Sequence, residues 1–120
     1  MSEITVRKQY DLEERTFKFT KAVIEFTGAL PVTLSNTEIM KQIIRSAGSI
    51  GANYIEANES LSKKDFSFRI KICRKEAKES IYWLKLLEAP SERMKEKQLS
   101  LIGEATELMK IFGAIVEKVK

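Results

Sequence analysis

Two pairs of glutamates are spaced so that each pair could bind a metal ion. Glu56 and Glu59 are three residues apart, as are Glu76 and Glu79, and side chains at this spacing share one face of a helix. Carboxylate oxygens are ligands that Mg²⁺ prefers. If the two pairs lie on facing antiparallel helices, they could hold Mg²⁺ for phosphate chemistry.

This metal-site hypothesis is the alternative to a non-catalytic protein. The spacing is similar to that of the all-α nucleotide pyrophosphatases, which usually carry Asp where Glu79 stands and need basic residues, such as Arg45 or Lys75, around the phosphates. The chain has no histidine, which removes the usual general base, the usual zinc ligand and the ferritin-like di-iron motif. The single cysteine, Cys73, falls on a core seam and has no base nearby. We therefore expect no catalytic residue, no metal and no cofactor; the alternative is a Mg-dependent nucleotide pyrophosphohydrolase that uses the glutamate pairs.

A further pattern combines cations with aromatic rings. From Lys63 to Lys85, lysine and arginine outnumber the acids Asp65, Glu76 and Glu79. Regularly spaced cations can meet phosphates, and exposed rings can stack on unpaired bases, so the combination suits single-stranded or looped RNA or DNA. The competing interpretation is a solvated helix face whose rings contact another subunit. We call the predicted nucleic-acid-binding set the basic stripe, and it comprises Lys64, Phe68, Lys71, Arg74, Lys75, Lys78, Tyr82 and Lys85.

A polar ridge runs between two apolar seams in the segment before the basic stripe. Its members are spaced by three or four residues, and they are Arg45, Ser49, Asn53 and Glu56. A buried polar group without a partner costs ~1 to 3 kcal/mol. We therefore expect Asn53 and Glu56 to bond to Arg, Lys or backbone groups of a neighbouring helix or subunit. The polar ridge is thus predicted to be structural and to specify register and oligomeric state.

Hydrophobic periodicity predicts four helices that position these residues. Apolar residues recur in alternating steps of three and four over four segments. Capping patterns place the starts of the first three helices at Asp11, Ser35 and Ser62. Pro31 is predicted to end the first helix, and the second helix is predicted to run to about Ser60. The predicted core seams are Phe19, Val23, Phe26 and Leu30; Met40, Ile43, Ala47, Ile50, Tyr54, Ala57 and Leu61; Phe66, Ile70, Cys73, Ala77, Ser80, Leu84 and Leu87; and Leu101, Ala105, Leu108, Phe112, Ile115 and Val119.

Since no segment alternates like a strand and the connections are short, the pattern predicts an all-α fold, an up-down-up-down antiparallel four-helix bundle. Residues 11–120 form this single domain, and residues 1–10 form an N-terminal arm. Further apolar positions lie outside the core seams, namely Phe17, Ile24, Ile44 and Ile55, with Gly48 and Gly51 between the last two. Ile44 and Ile55 make helix two apolar on two sides, and Phe17 and Ile24 lie on a flanking face of helix one, so we expect the chain to self-associate.

Charge and composition are consistent with a binding protein. The chain of 120 residues has a net charge of +4 and a pI of about 9.2, which favours anionic partners. A single cysteine excludes an intrachain disulfide, and no apolar run resembles a signal peptide or a membrane span. We therefore expect a cytoplasmic protein with no membrane partner.

The stretch RSAGSIGANYIEANE, followed by SKKDFSFRIKICRKEAKESIYWLKLLEA, resembles the four-helix-bundle family of 23S rRNA intervening-sequence proteins. The resemblance covers Arg45 to Ala89. Where many members have Glu-Gly after the position of Glu56, this chain continues with Ala57 and Asn58. The residues that carry the resemblance are Arg45, Ser46, Ser49, Ile50, Asn53, Glu56, Lys64, Phe66, Glu76, Ala77, Glu79, Trp83 and Leu84.

The resemblance implies a bundle that assembles as a ring of five and has no established enzymatic activity. It also implies kinship with the accessory variability determinant protein of diversity-generating retroelements, a basic pentamer that partners reverse transcriptase and nucleic acid. We therefore expect a homopentamer that is associated with RNA or DNA or acts as a scaffold, with a reverse-transcriptase-like protein as a possible partner.

Overall fold

Four α-helices account for nearly all of the chain. The computed structural model describes the backbone of residues 3–120 and the side chains of residues 12–120. The helices are α1 (Glu3–Gly28), α2 (Leu34–Asn58), α3 (Lys63–Leu86) and α4 (Glu92–Lys118), and the described residues contain no strand. The predicted all-α fold with four antiparallel helices is confirmed.

The helices pack as a square bundle. Helix α1 packs against α2 and α4, and α3 packs against the same two helices; within the described residues, α1 and α3 lie diagonally and make no contact. The molecule measures 47 × 24 × 19 Å. The six largest fully buried side chains among the described residues come from α2, α3 and α4, and they are Phe112, Ile43, Ile50, Ile70, Leu84 and Leu108. Burying each such side chain contributes roughly 1.5 to 3 kcal/mol.

Helix α1 begins earlier than predicted. It starts at Glu3 rather than near Asp11, so the segment assigned to an N-terminal arm is helical from residue 3. Residues 3–10 contain neither Gly nor Pro and include several good helix formers. No residue of this segment would therefore interrupt the helix. The side chain of Asp11, the predicted cap, lies outside the described residues. Whether residues 1–10 act separately from the bundle stays a prediction.

Helix α2 also has different ends from those predicted. Thr33, not Ser35, is the N-cap, because its Oγ1 accepts a hydrogen bond from the backbone N–H of Asn36 at 3.1 Å. The helix ends at Asn58, so Leu61 falls in the connection to α3 and is fully exposed. Leu61 is thus wrongly predicted as a core residue. The cap predicted at Ser62 is confirmed, since its Oγ accepts from the N–H of Asp65 at 3.0 Å.

Small and hydroxylic side chains allow α1 and α2 to approach closely. Thr20 Oγ1 donates a hydrogen bond to the carbonyl oxygen of Ala47 at 3.0 Å. A Cβ atom added at Gly51 would lie 3.1 Å from Thr16 Oγ1, whereas one at Gly48 would meet nothing within 4 Å. An added Cβ would therefore crowd α1 at Gly51 but not at Gly48.

Candidate nucleic-acid interface

The basic stripe lies along the outer side of α3. The lysines Lys64, Lys71, Lys75, Lys78 and Lys85 are all exposed, and Arg74 is half-buried against α4. From Lys64 to Lys85 the helix rises about 32 Å. The structure therefore presents most of the predicted stripe to solvent as one continuous surface.

Among residues 12–120, the lysines of the basic stripe form no ion pair, a property that they share with other exposed lysines such as Lys21, Lys97 and Lys110 but not with all of them. Lys18, Lys41 and Lys95 each form an ion pair with a glutamate of their own helix. Uncompensated cations in a row create a positive potential that attracts polyanions.

The two aromatic rings of the basic stripe have different surroundings. Phe68 and Tyr82 are 59% and 60% exposed. The Tyr82 ring packs edge-on against Trp83, with centroids 5.1 Å apart. Phe68 lies instead in a recess between the start of α3 and the end of α4, which we call the Phe68 recess; its lining is Lys63, Lys64, Ser67, Phe68, Lys71, Val119 and Lys120. Lys63, Val119 and Lys120 were not among the predicted binding residues. Val119 and Lys120 could not be found from sequence, because no local pattern connects the end of α4 to the start of α3.

The polar ridge of α2 faces α3. Asn53 Nδ2 donates hydrogen bonds to the backbone oxygen and the Oγ of Ser49, at 2.9 and 3.0 Å. Arg69 Nη1 of α3 donates to Asn53 Oδ1 at 3.0 Å. Asn53 thus has partners on its own and on the neighbouring helix. Glu56 stands exposed, and its carboxylate makes no hydrogen bond or ion pair among the described residues.

At the other end of the ridge, Arg45 lies between two glutamates of α3. Its guanidinium is 3.9 Å from Glu76 Oε2 and 3.7 Å from Glu79 Oε2. Glu76 is buried, and its Oε2 has no hydrogen-bond partner in the described part of the chain. Burial raises the pKa of the Glu76 carboxyl, the neighbouring Glu79 carboxylate raises it further, and Arg45 opposes both. Below this cluster, the hydroxyls of Ser46 and Ser80 are 2.9 Å apart in the core.

The four glutamates of the metal-site hypothesis do not converge. Glu76 and Glu79 lie opposite Arg45, and Glu56 is 11 residues further along α2, which corresponds to about 16 Å of helix rise. Within residues 12–120, no group of three or more metal-ligating side chains could hold an ion. The antiparallel register of α2 and α3 separates the pairs, so the structure does not support the alternative of a Mg²⁺ site on these four glutamates.

Cys73 is a core residue, as its position on the seam of helix three predicted. It is fully buried, and its Sγ donates to the carbonyl oxygen of Ile50 at 3.4 Å. Burial raises the pKa of the Cys73 thiol to about 12, so the thiolate required of a nucleophile is scarcely populated.

Comparison with known proteins extends this description. A family model for the 23S rRNA-intervening sequence proteins matches residues 8–114. The chain belongs to this family. A solved structure from Bacteroides thetaiotaomicron, described as a protein with unknown function from the S23 ribosomal protein family, has 30% sequence identity and a TM-score of 0.73. The match covers 87% of this chain and 96% of that chain. No curated protein matches the sequence.

The family match indicates the fold and the ancestry of the chain. It does not indicate a catalytic activity. The intervening-sequence family match spans all four helices, including the polar ridge and the basic stripe. No helix in the described part of the chain is long and apolar enough to cross a membrane.

Proposed function

We propose that this intervening-sequence family protein is a non-catalytic, self-assembling bundle that binds single-stranded or looped RNA or DNA along α3. The observation that carries the proposal is the row of exposed lysines without ion pairs, interrupted by two exposed aromatic rings. Lysines of this kind release counterions when they meet phosphates, and the rings offer faces to unpaired bases.

The position of the acids on α3 supports this choice over an ordinary solvated face. Glu76 and Glu79 both lie within 4 Å of the Arg45 guanidinium of α2, and Lys75 is the lysine of the stripe that lowers the pKa of Glu76. Both glutamates therefore have Arg45 as their ion-pair partner, and among residues 12–120 neither forms an ion pair with a lysine of the stripe.

Self-assembly is proposed through a separate surface on α1 and α2. Phe17 is 63% exposed, Ile24 and Ile55 are 50% exposed, and Ile44 is 39% exposed. Apolar residues concentrated on neighbouring helices favour association. Because α1 lies diagonally from α3, a second copy on this surface would leave the basic stripe accessible. The family resemblance extends the proposal to a ring of five and to a reverse-transcriptase-like partner.

The nucleic-acid proposal is tested by a salt series with a fluorescent single-stranded RNA and a duplex DNA. The parent should bind with an affinity that falls linearly on logarithmic axes as salt increases. Replacing Lys71, Lys75 and Lys78 with Glu should abolish binding, and each single Lys→Ala change should reduce the salt slope by about 0.7 on a single strand.

A matched variant with the same charge change separates the stripe from net charge. Arg93, Lys95 and Lys97 are exposed residues of α4 that do not belong to the stripe, and replacing them with Glu should leave most of the binding intact. If both triple variants bind equally well, or lose binding equally, the stripe is not the binding surface. Light scattering on each variant checks that assembly is unchanged.

A further inference from the structure

The Phe68 recess is an open depression with room for a small chemical group. It lies between the first turns of α3 and the last residues of α4 and has a volume of ≈ 560 Å³. Phe68 and Val119 contribute apolar surface, and Ser67 contributes a hydroxyl. The recess is open to solvent, so a group can enter while it stays attached to a longer chain.

The charged side chains that line the recess are all cationic. Four of its seven lining residues are lysines, and none is an aspartate or glutamate. Of these, Lys120 forms an ion pair with Glu117 at 3.2 Å. Lys63, Lys64 and Lys71 form none within residues 12–120. An occupant should therefore combine a flat apolar face with negative charge at its edges.

A nucleotide of a single strand has this combination. Its base can stack on an aromatic ring, and its flanking phosphates can pair with lysines. Neither face of a base is available for such stacking inside a duplex, because each is covered by the adjacent base pair. Tyr82, the other ring of the stripe, already has Trp83 packed against it, so Phe68 offers the better platform.

We infer that the Phe68 recess binds one unpaired base of RNA or DNA, stacked on the Phe68 ring, with the adjacent phosphates on Lys64 and Lys71. The inference rests on the proposed function, since it places one nucleotide of the bound strand. It adds Lys63, Val119 and Lys120 of the recess to the surface used. The recess then anchors the strand at one end of α3, and the remaining lysines follow the backbone.

The test compares Phe68→Ala with two other truncations on matched single strands and duplexes. Phe68→Ala should weaken single-strand binding roughly 5- to 150-fold, the range expected for one lost base stack. It should leave duplex binding and the salt slope unchanged, because no phosphate contact is lost. Tyr82→Ala should cause a smaller loss. Leu99→Ala removes a side chain of α4 that is 66% exposed and should cause none.

Conservative replacement and a modified ligand give independent readouts. Phe68→Trp should retain or increase single-strand affinity, because tryptophan presents a larger ring for stacking. Strands containing abasic nucleotides throughout should bind the parent and Phe68→Ala equally. Matched RNA and DNA strands show which type of nucleic acid the recess recognises. If Phe68→Ala lowers the affinity for both strands equally, the recess recognises base and phosphate alone. If it lowers the affinity for RNA more, the recess also contacts the 2′-hydroxyl.

The outcomes separate this inference from the proposed function. One outcome is that replacing Lys71, Lys75 and Lys78 with Glu abolishes binding while Phe68→Ala binds single strands as the parent does. In that case the inference of a base-binding recess is wrong, and the proposal of binding along the basic stripe stands. If the parent binds no nucleic acid at low salt, both are wrong. If Phe68→Ala lowers the oligomeric mass while affinity per protomer is unchanged, Phe68 is a subunit contact and the inference fails.

Discussion

Arg45 of α2 and Glu76 of α3 approach each other without a hydrogen bond: Nη1 and Oε2 are 3.9 Å apart. Glu76 is 5% exposed, and its Oε2 lacks any hydrogen-bond partner among the described residues. Arg45 remains largely in solvent, where its attraction is screened. The ionised form of Glu76 is thus incompletely compensated, which explains why burial raises its pKa.

The first prediction is that Glu76 makes the stability of the protein fall as pH rises. The folded state holds the Glu76 proton more tightly than the unfolded chain, so this contribution is greatest below the ordinary pKa of 4.5 and is lost as pH rises through the raised folded-state value. Urea unfolding should show that Glu76→Gln removes this component. Arg45→Ala should enlarge it, because Arg45 lowers the pKa. A pH-independent difference between the parent and Glu76→Gln would contradict this prediction.

The second prediction concerns the hydrogen bond between Asn53 and Arg69. Asn53→Ala removes the acceptor of Arg69 and the bonds to Ser49, and it should lower the free energy of unfolding by about 1 to 2 kcal/mol. Glu56→Gln, on the same ridge but exposed, should change it little. A double-mutant cycle with Arg69→Ala measures the coupling; zero coupling would show that the contact contributes nothing.

The third prediction contrasts the two glycines of α2. At Gly48 an added Cβ meets nothing within 4 Å, so Gly48→Ala should stabilise the isolated bundle by up to about 1 kcal/mol through helix propensity. At Gly51 the added Cβ would crowd Thr16, whose hydroxyl is already bonded to the carbonyls of Leu12 and Glu13. Gly51→Ala should therefore be less stable than Gly48→Ala by about 1 kcal/mol or more. Thermal unfolding of both variants provides the comparison, and equal stabilities would count against it.

The fourth prediction is that Cys73 does not react in the folded protein. With a pKa of about 12, roughly one thiol in ten thousand is ionised at pH 8, and the sulfur is fully buried. Iodoacetamide should label the native protein at least about 100-fold more slowly than the protein in urea. Similar rates in the two states would mean that the core opens readily around α3.

The fifth prediction tests assembly through α1 and α2. Ile24→Glu and Ile44→Glu should each lower the oligomeric mass measured by light scattering, because a buried, unpaired carboxylate destabilises an interface. Leu99→Glu, the same type of change at an exposed position of α4, should leave the mass unchanged. A parent that is monomeric at micromolar concentration, with its helices intact by circular dichroism, would refute the assembly proposal.

Much of the fold was predictable from local pattern. Phe19, Val23 and Phe26 are buried, because residues at three- and four-residue steps occupy one face of a helix whatever lies beyond it. Leu30 is also buried, although it follows the end of α1. The errors lie at helix ends. Near the start of α2, both Thr33 and Ser35 are residue types that can cap a helix, and the structure uses Thr33. Helix α1 begins at Glu3 because no Gly or Pro interrupts residues 3–10. Leu61 continues the helical step but follows the end of α2.

The four helices, their inward faces, the polar ridge and the basic stripe follow from local spacing, because each depends on positions within one helix. The contacts that these features make depend on how the helices pack. Core packing sets the antiparallel register of α2 and α3, which brings Arg45 to Glu76 and keeps Glu56 away from both. The same packing brings Val119 and Lys120 to Phe68. Contacts between distant segments depend on how all four helices pack together, and no periodicity within one helix contains that information.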